Sequence, residues 1–384
     1  MQHAATILIS QGRFGTPAGR VLEEVRGRRL VSRDQVARGT GLSAATVARA
    51  VTALLEAGMI RERADLIPLG TVGRPGVPVE ISPERHVVIG VHLGLRLATV
   101  ALGDLAGRVV ESKTMPHAPE APEMERIARL AAQLLGDQPG RVPLAGGIVA
   151  PWLDLGVDRH TTGQQLHDCL GLDVMTGDHV AAVAAAEFIH RRHGLGGATL
   201  YVYARETLGC ALAVDKGGTT EVSRVASLTH FPTDGAAQCG CGRRGCAAAN
   251  LSDHALARAA HDAGLVDRPR IEAVHAAART SSAARRLLTE RALGLGRLVG
   301  IASDMLDPDR VVLVGQAFTG FPPALEDVVT GYRSQTAREP VELSFTRFRS
   351  GVQAIAACTV AASPVYANPL CATPARSPST PLRA

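Results

Sequence analysis

Three cysteines fall within eight residues in Cys239-Gly240-Cys241-Gly242-Arg243-Arg244-Gly245-Cys246, and His230 lies nine residues upstream. The interleaved glycines let the backbone fold tightly around a point. Thiolate and neutral imidazole are donors that Zn²⁺ takes, and four protein ligands leave no open position. His230, Cys239, Cys241 and Cys246 therefore read as the ligands of a structural zinc, not a catalytic one. The alternative is a glycine-rich turn with reduced cysteines, but C-x-C-x4-C beside a histidine is dense for that. Cys169, Cys210, Cys358 and Cys371 are scattered and read as small buried hydrophobes or tail residues.

A second set of residues suits a polyanion. Residues 1–80 carry eleven arginines against seven acids, which is +4 of the chain's formal +5. An excess of this kind on one module suggests nucleic acid as its partner. The arginines must be positioned by helices. The spacing predicts a helix over 17–28, with Ala18, Val21, Leu22 and Val25 on one face. Ser32-Arg33-Asp34-Gln35 opens a second helix as a capping box. Gly39-Thr40-Gly41-Leu42 turns the chain, and Ser43 caps a third helix over 44–57 with Val47, Val51, Leu54 and Leu55 inside. A short strand over 59–63 then starts a hairpin that returns toward 70–75.

Helix, helix, tight turn, helix and hairpin is the order of a winged helix-turn-helix, whose third helix enters the major groove. The residues expected at double-stranded DNA are Ser43, Ala44, Ala45, Thr46 and Arg49 on that helix. Arg49 has the fork that pairs with guanine O6 and N7, and the alanines suit thymine methyls. Arg61, Arg63 and Arg74 on the wing would meet phosphate or the minor groove. The competing reading is a small helical module that binds protein or dimerises through a solvated arginine face.

Length and composition fit this division. A chain of 384 residues holds two or three domains. Hydrophobic content of 46% with 20% charged residues means a globular chain. Aromatics are 3%, so the core rests on Ala, Val, Leu and Ile. No run of 18 apolar residues occurs, and the first ten residues lack the basic start of a signal peptide, so the expectation is a cytoplasmic protein with no membrane partner. The expected segments are a flexible arm over 1–17, the DNA-binding module over 18–75, a stiff linker over 76–83, a body over 84–362 and a Pro-rich disordered tail over 363–384. Strands and helices alternate along the body, which predicts an α/β domain built on two sheets.

Taken together, the chain resembles the ROK family of repressors, open reading frames and sugar kinases, and within it the regulators with an N-terminal winged helix-turn-helix. The resemblance rests on the Cys-x-Cys-Gly-x-x-Gly-Cys run with its upstream His, and on the segment LSAATVARAVTALLEAGMI. Further support comes from GRPG, Asp307-Pro308 before VVLVG, and the terminal GVQAIAACTVAA. It implies an actin-like, hexokinase-like two-lobed α/β body with a structural zinc loop, assembled as a homodimer or homotetramer.

The resemblance also implies where catalysis would sit, and there this chain departs. Val91-His92-Leu93-Gly94-Leu95-Arg96 matches the first phosphate turn, with His92 in place of an Asp and Leu95-Arg96 in place of Gly-Thr. The second phosphate turn reads Arg205-Glu206-Thr207. Bulky and acidic residues repel phosphate, which needs small turns with free backbone N–H groups. Of the sugar-binding Asn-Asp pair, Gly177-Asp178 keeps only the Asp, the general base of the kinases. Glu-x-Gly-His becomes Ser227-Leu228-Thr229-His230, and a further Glu becomes Ala248. Only 26 residues separate Pro151 from Asp178, too few for the family's usual sugar-binding loop.

The expected function is therefore a sequence-specific transcriptional regulator with a non-catalytic body, acting on an inverted-repeat operator. Asp178 and His230 are the candidates for binding a small-molecule effector other than a typical hexose. Asp178 has a plainer reading as a helix N-cap. The alternatives are a sugar kinase with an added DNA-binding domain and a ligand-independent scaffold.

Overall fold

The structure is a computed structural model, and it describes residues 7–10, 15–66, 77–118, 122–191, 197–215, 219–337, 339–346, 348 and 351–372. The chain divides into two compact units. One holds residues 7–194, 215–221 and 353–384; the other holds 1–6, 195–214 and 222–352.

The first unit starts with a strand, β1 (Ile7–Ser10), inside the segment expected as an arm. Three helices follow: α1 (Pro17–Arg28), α2 (Arg33–Thr40) and α3 (Ala44–Glu56). Their starts are fixed by side chains. Thr16 caps α1, Ser32 and Gln35 form a reciprocal capping box on α2, and Ser43 caps α3. Gly41 ends α2 at φ 66°, a left-handed position that glycine adopts without steric cost. β2 (Ile60–Glu62) pairs antiparallel with β3 (Val79–Ile81), with Arg61 opposite Glu80.

β2 therefore pairs with residues 79–81, which were expected in a linker, while the expected return over 70–75 lies outside the described residues. Val79 and Ile81 are buried with Glu80 pointing out, an alternation that pays the cost of ordering a strand. Only four residues then separate Ile81 from β4 (His86–Leu93). Residues 67–76, which include Arg74, lie outside the described residues.

β4 is the centre of a five-stranded sheet with β5 (Leu97–Asp104), β6 (Val109–Pro116), β7 (Val142–Ala150) and β8 (Val174–Asp178), in the order β6-β5-β4-β7-β8. β4 runs antiparallel to β5 and parallel to β7. Both faces are covered. Helices α4 (Met124–Gly136) and α6 (Arg159–Leu170) bury Ile127, Leu134 and Leu166 against Ile89, Val91 and Ile148. α5 (Trp152–Leu155) is a single turn, and α7 (His179–Arg191) follows β8.

The opposite face receives the C-terminal helix, Val352–Ala367. The approach is close enough that a Cβ on Gly90 would fall 2.5 Å from the Cys358 nitrogen, and one on Gly147 2.6 Å from that of Ala361. This helix continues through Pro364 to Ala367, so the ordered chain extends past the expected end at 362. Its apolar residues join those of α1–α3 and of the sheet in one core that includes Leu22, Leu54, Val88, Leu105, Cys358 and Val365.

The second unit is built on β9 (Gly197–Ala204), β10 (Leu208–Asp215), β11 (Thr219–Ser227), β12 (Arg310–Val314) and β13 (Leu343–Phe345), ordered β11-β10-β9-β12-β13. Between β11 and β12 lie the cysteine loop and helices α8 (Ala247–Leu251), α9 (Asp253–Asp262), α10 (Ile271–Ala277) and the long α11 (Ser282–Leu306). α12 (Gln316–Thr319) and α13 (Leu325–Gln335) follow β12. No helix among the described residues is long and apolar enough to cross a membrane.

Candidate nucleic-acid interface and metal centre

The third helix presents two different faces. Val47, Ala50, Val51 and Leu54 are buried, while Ala44, Ala45, Ala48, Arg49 and Thr52 are exposed. Ser43 Oγ accepts from the Thr46 N–H at 3.2 Å, and the two hydroxyls lie 2.9 Å apart. No described carboxylate forms an ion pair with Arg49. The first turn is thus short-chained and open, which lets a surface approach closely, and a cation stands one turn further along.

The β2–β3 hairpin is electrostatically different from its sequence expectation. Arg61 pairs with Glu80 at 2.7 Å and Glu84 at 2.8 Å. Arg63 pairs with Asp65 at 2.7 Å and Glu80 at 2.8 Å, and Arg33 meets Glu62 at 2.9 Å. Burial opposes ionisation of Glu80, but the hydrogen bonds from Arg63 and Arg61 outweigh it and hold the carboxyl low. Arg61 and Arg63 would have to exchange these carboxylates before meeting any phosphate. Sequence reasoning counted the charges but could not see Glu80 opposite Arg61, because that depends on the strand register.

The cysteine loop closes as its residue types suggest. The ligand atoms of His230, Cys239, Cys241 and Cys246 all lie within 4.8 Å of one another. Cys239 Sγ is 3.6 Å from His230 Nδ1, and Cys241 Sγ is 3.6 Å from Cys246 Sγ. A tetrahedral ion with Zn–S bonds of ~2.3 Å needs S···S edges of about 3.8 Å, so the donor set fits four-coordination.

Backbone bonds hold the loop. Cys239 N–H donates to Arg243 O, Gly242 N–H to Cys239 O, and Thr233 N–H to Gly245 O. Gly245 has φ 76°, and a Cβ there would lie 2.7 Å from Gly235 O. The Arg243 backbone N–H and then its guanidinium lower the Cys241 thiol to about 6, which supplies thiolate at neutral pH.

The two turns that matched phosphate sites use their own backbone groups. Gly94 N–H donates to Leu97 O at 2.9 Å, and Arg205 N–H to Thr207 O at 3.1 Å. His92 is buried at the end of β4, its ring 5.9 Å from that of His179. Burial lowers His179 to about 3, so it is neutral and offers no charge to an anion. Asp178 accepts from the N–H groups of Val180 at 2.8 Å and Ala181 at 3.3 Å, which is an N-cap on α7. Burial raises its carboxyl above the usual range. Ala248 sits on α8 directly after the cysteine loop, and His230 is exposed.

Two sheet-based α/β units, the first with a mixed sheet covered by helices on both faces, make a ROK/hexokinase-like fold, and the second also carries the Cys₃His loop. The chain belongs to the ROK family, whose pattern matches residues 88–357. It is 35% identical to a protein of Mycobacterium bovis named as a transcriptional regulator, over 92% of this chain and 86% of that one. The same figures hold for a transcriptional regulator of Mycobacterium tuberculosis.

Among solved structures, a ROK family transcriptional regulator, homologous to the E. coli MLC protein, superposes with a TM-score of 0.71 at 20% identity. The match covers 92% of this chain and 96% of that one. A ROK family glucokinase from Streptomyces griseus, solved with glucose and AMPPNP, has a TM-score of 0.60 at 21% identity. It covers only 72% of this chain but 99% of its own.

Proposed function

We propose that the chain is a DNA-binding transcriptional regulator whose kinase-like body does not transfer phosphate. Residues 18–81 form a winged helix-turn-helix in this reading, with α3 in the major groove and Ser43, Ala44, Ala45, Thr46 and Arg49 at the bases. The observation that carries it is the open first turn of α3, followed by an arginine that no described carboxylate neutralises. Two protomers would set two such helices on an inverted repeat, within a homodimer or homotetramer in the cytoplasm. The regulator names of the relatives support this, as does the regulator structure that spans the N-terminal module as well as the body.

A structural zinc on His230, Cys239, Cys241 and Cys246 completes the reading. Zn²⁺ bound there supplies cross-linking, since all four positions are taken by protein. The non-catalytic reading rests on the closed turns at Gly94 and Arg205, on Glu206, and on the N-cap role of Asp178. Asp178 and His230 remain the effector candidates, for a ligand other than a typical hexose.

The test is binding of the purified protein to fragments of its own genome across a salt series. Each neutralised phosphate contributes a slope of about −0.9 in log K against log salt. A tight subset of fragments with a steep slope is expected. Salt-independent binding, or none above background, would refute the reading.

A further inference from the structure

The second unit carries a groove of about 380 Å³, within reach of the ~300–1,000 Å³ typical of small-molecule sites. Its walls are loop 232–237, α8, α9 and one stripe of α11. Leu287, Arg291, Gly294, Leu298 and Ile301 recur at helical spacing along that stripe, so they share one face. Gly294 keeps the wall low; a Cβ there would lie 2.7 Å from Leu251 Cδ2. The opposite wall is pinned to the cysteine loop, because Asn250 Nδ2 donates to Cys246 O at 2.9 Å and to Thr233 Oγ1 at 3.3 Å.

The lining is mostly apolar, and Arg291 and Arg297 are among its residues. The Arg291 side chain is 2% exposed, and its Nη1 donates to Asp253 Oδ1 at 2.6 Å. Asp253 balances that charge, so the cation open to a ligand in the groove is Arg297. Arg297, half-exposed, forms no ion pair with a described residue. The acids of the groove, Glu290 and Asp234, are exposed at its rim, where water screens them.

We infer that this groove binds a small monocarboxylate with an apolar body. A guanidinium fork takes a carboxylate through charge-assisted, often bidentate, bonds. A sugar would leave hydroxyls against leucines, and a phosphate would lose more hydration than these walls return. The site stands independently of the DNA-binding reading. If occupancy alters operator affinity, the carboxylate is the effector, and that second step alone rests on the regulator reading.

The test is calorimetric titration of the full chain with hexanoate, with hexanamide as the uncharged control. One saturable site per chain is expected, with the amide about tenfold weaker, the worth of a charge-assisted over a neutral bond. Arg291→Met strands Asp253, so the variants are Arg297→Gln, expected to weaken binding several-fold, and Ala259→Trp on the exposed α9 wall, expected to abolish it. Metal content and circular dichroism should be unchanged in both. Equal binding of acid and amide, no saturable heat at millimolar hexanoate, or indifference to both substitutions would overturn the assignment.

Discussion

At the scale of single residues, the cysteine loop shows how type and spacing determine a site. Four ligand atoms within 4.8 Å of one another come from a stretch of 17 residues, with Gly242 and Gly245 at positive φ. Such a cluster has little regular structure of its own to hold it. An ion held there would add folding energy by closing the loop beyond what its backbone bonds supply. Cys241→Ser should release the metal and lower the thermal midpoint of the chain by several degrees, measured by metal analysis beside calorimetry. Less than one zinc per chain in the parent protein with thiols intact would contradict the assignment. This cluster was legible in sequence because its ligands are close along the chain. The pairing of Arg61 and Arg63 with Glu80 was not, since Glu80 arrives from 17 residues away or more through strand pairing.

At the scale of elements, the helices with a polar and an apolar side were readable, and those buried all round were not bounded correctly. α1 to α3 announce themselves by caps and periodic Val and Leu. The C-terminal helix is apolar on every side because it lies between the sheet and α1, so periodicity gives it no end and Pro364 suggests a false one. Its last turn is fixed by contacts. Tyr366 OH donates to Leu105 O at 3.0 Å, and the Arg26 guanidinium lies 4.7 Å from the Tyr366 ring centroid. Gly19 on α1 makes the approach possible, since a Cβ there would sit 2.6 Å from the carbonyl oxygens of both Tyr366 and Ala367. Ala gains up to ~1 kcal/mol over Gly in a helix, but overpacking against backbone costs about 1–3 kcal/mol. Gly19→Ala should therefore lower the urea midpoint of unfolding, and an unchanged or raised midpoint would show that this contact is not close-packed.

At the scale of the whole molecule, the histidines set a pH dependence. Burial and then the Arg85 charge lower His86 to about 4, and burial lowers His179 to about 3. Burial and then Arg291 lower His275 to about 4. The unfolded value is about 6.5, so between roughly pH 4 and 6.5 these three imidazoles bind more protons in the unfolded chain than in the folded one, while the raised carboxyls of Asp104, Asp178 and Asp253 act the other way. Stability from the imidazoles is complete above about pH 6.5 and is lost as pH falls toward 4. Urea midpoints should drop over that window, and the drop should be shallower in His179→Phe, which leaves the cysteine cluster intact. A profile for His179→Phe as steep as the parent's between pH 7 and 5 would contradict the burial of that ring. Two sheet-based units were readable from the alternation of strands and helices. The fusion of the N-terminal module to the first sheet was not, because Gly73 to Pro78 reads as a spacer while Val79 and Ile81 pair beyond it.

The central claim, that α3 reads DNA, is tested most directly by binding of Arg49→Ala to a panel of single-base operator variants beside the parent protein. A guanine contact by Arg49 predicts a loss of ~1–3 kcal/mol and a relaxed preference at one base pair in each half-site, with other positions discriminated as before. The half-sites should lie about 34 Å apart, or a multiple of it. If Arg49→Ala changes neither affinity nor base preference, that face of α3 does not lie in the groove, and the account of this chain as a sequence reader fails at its centre.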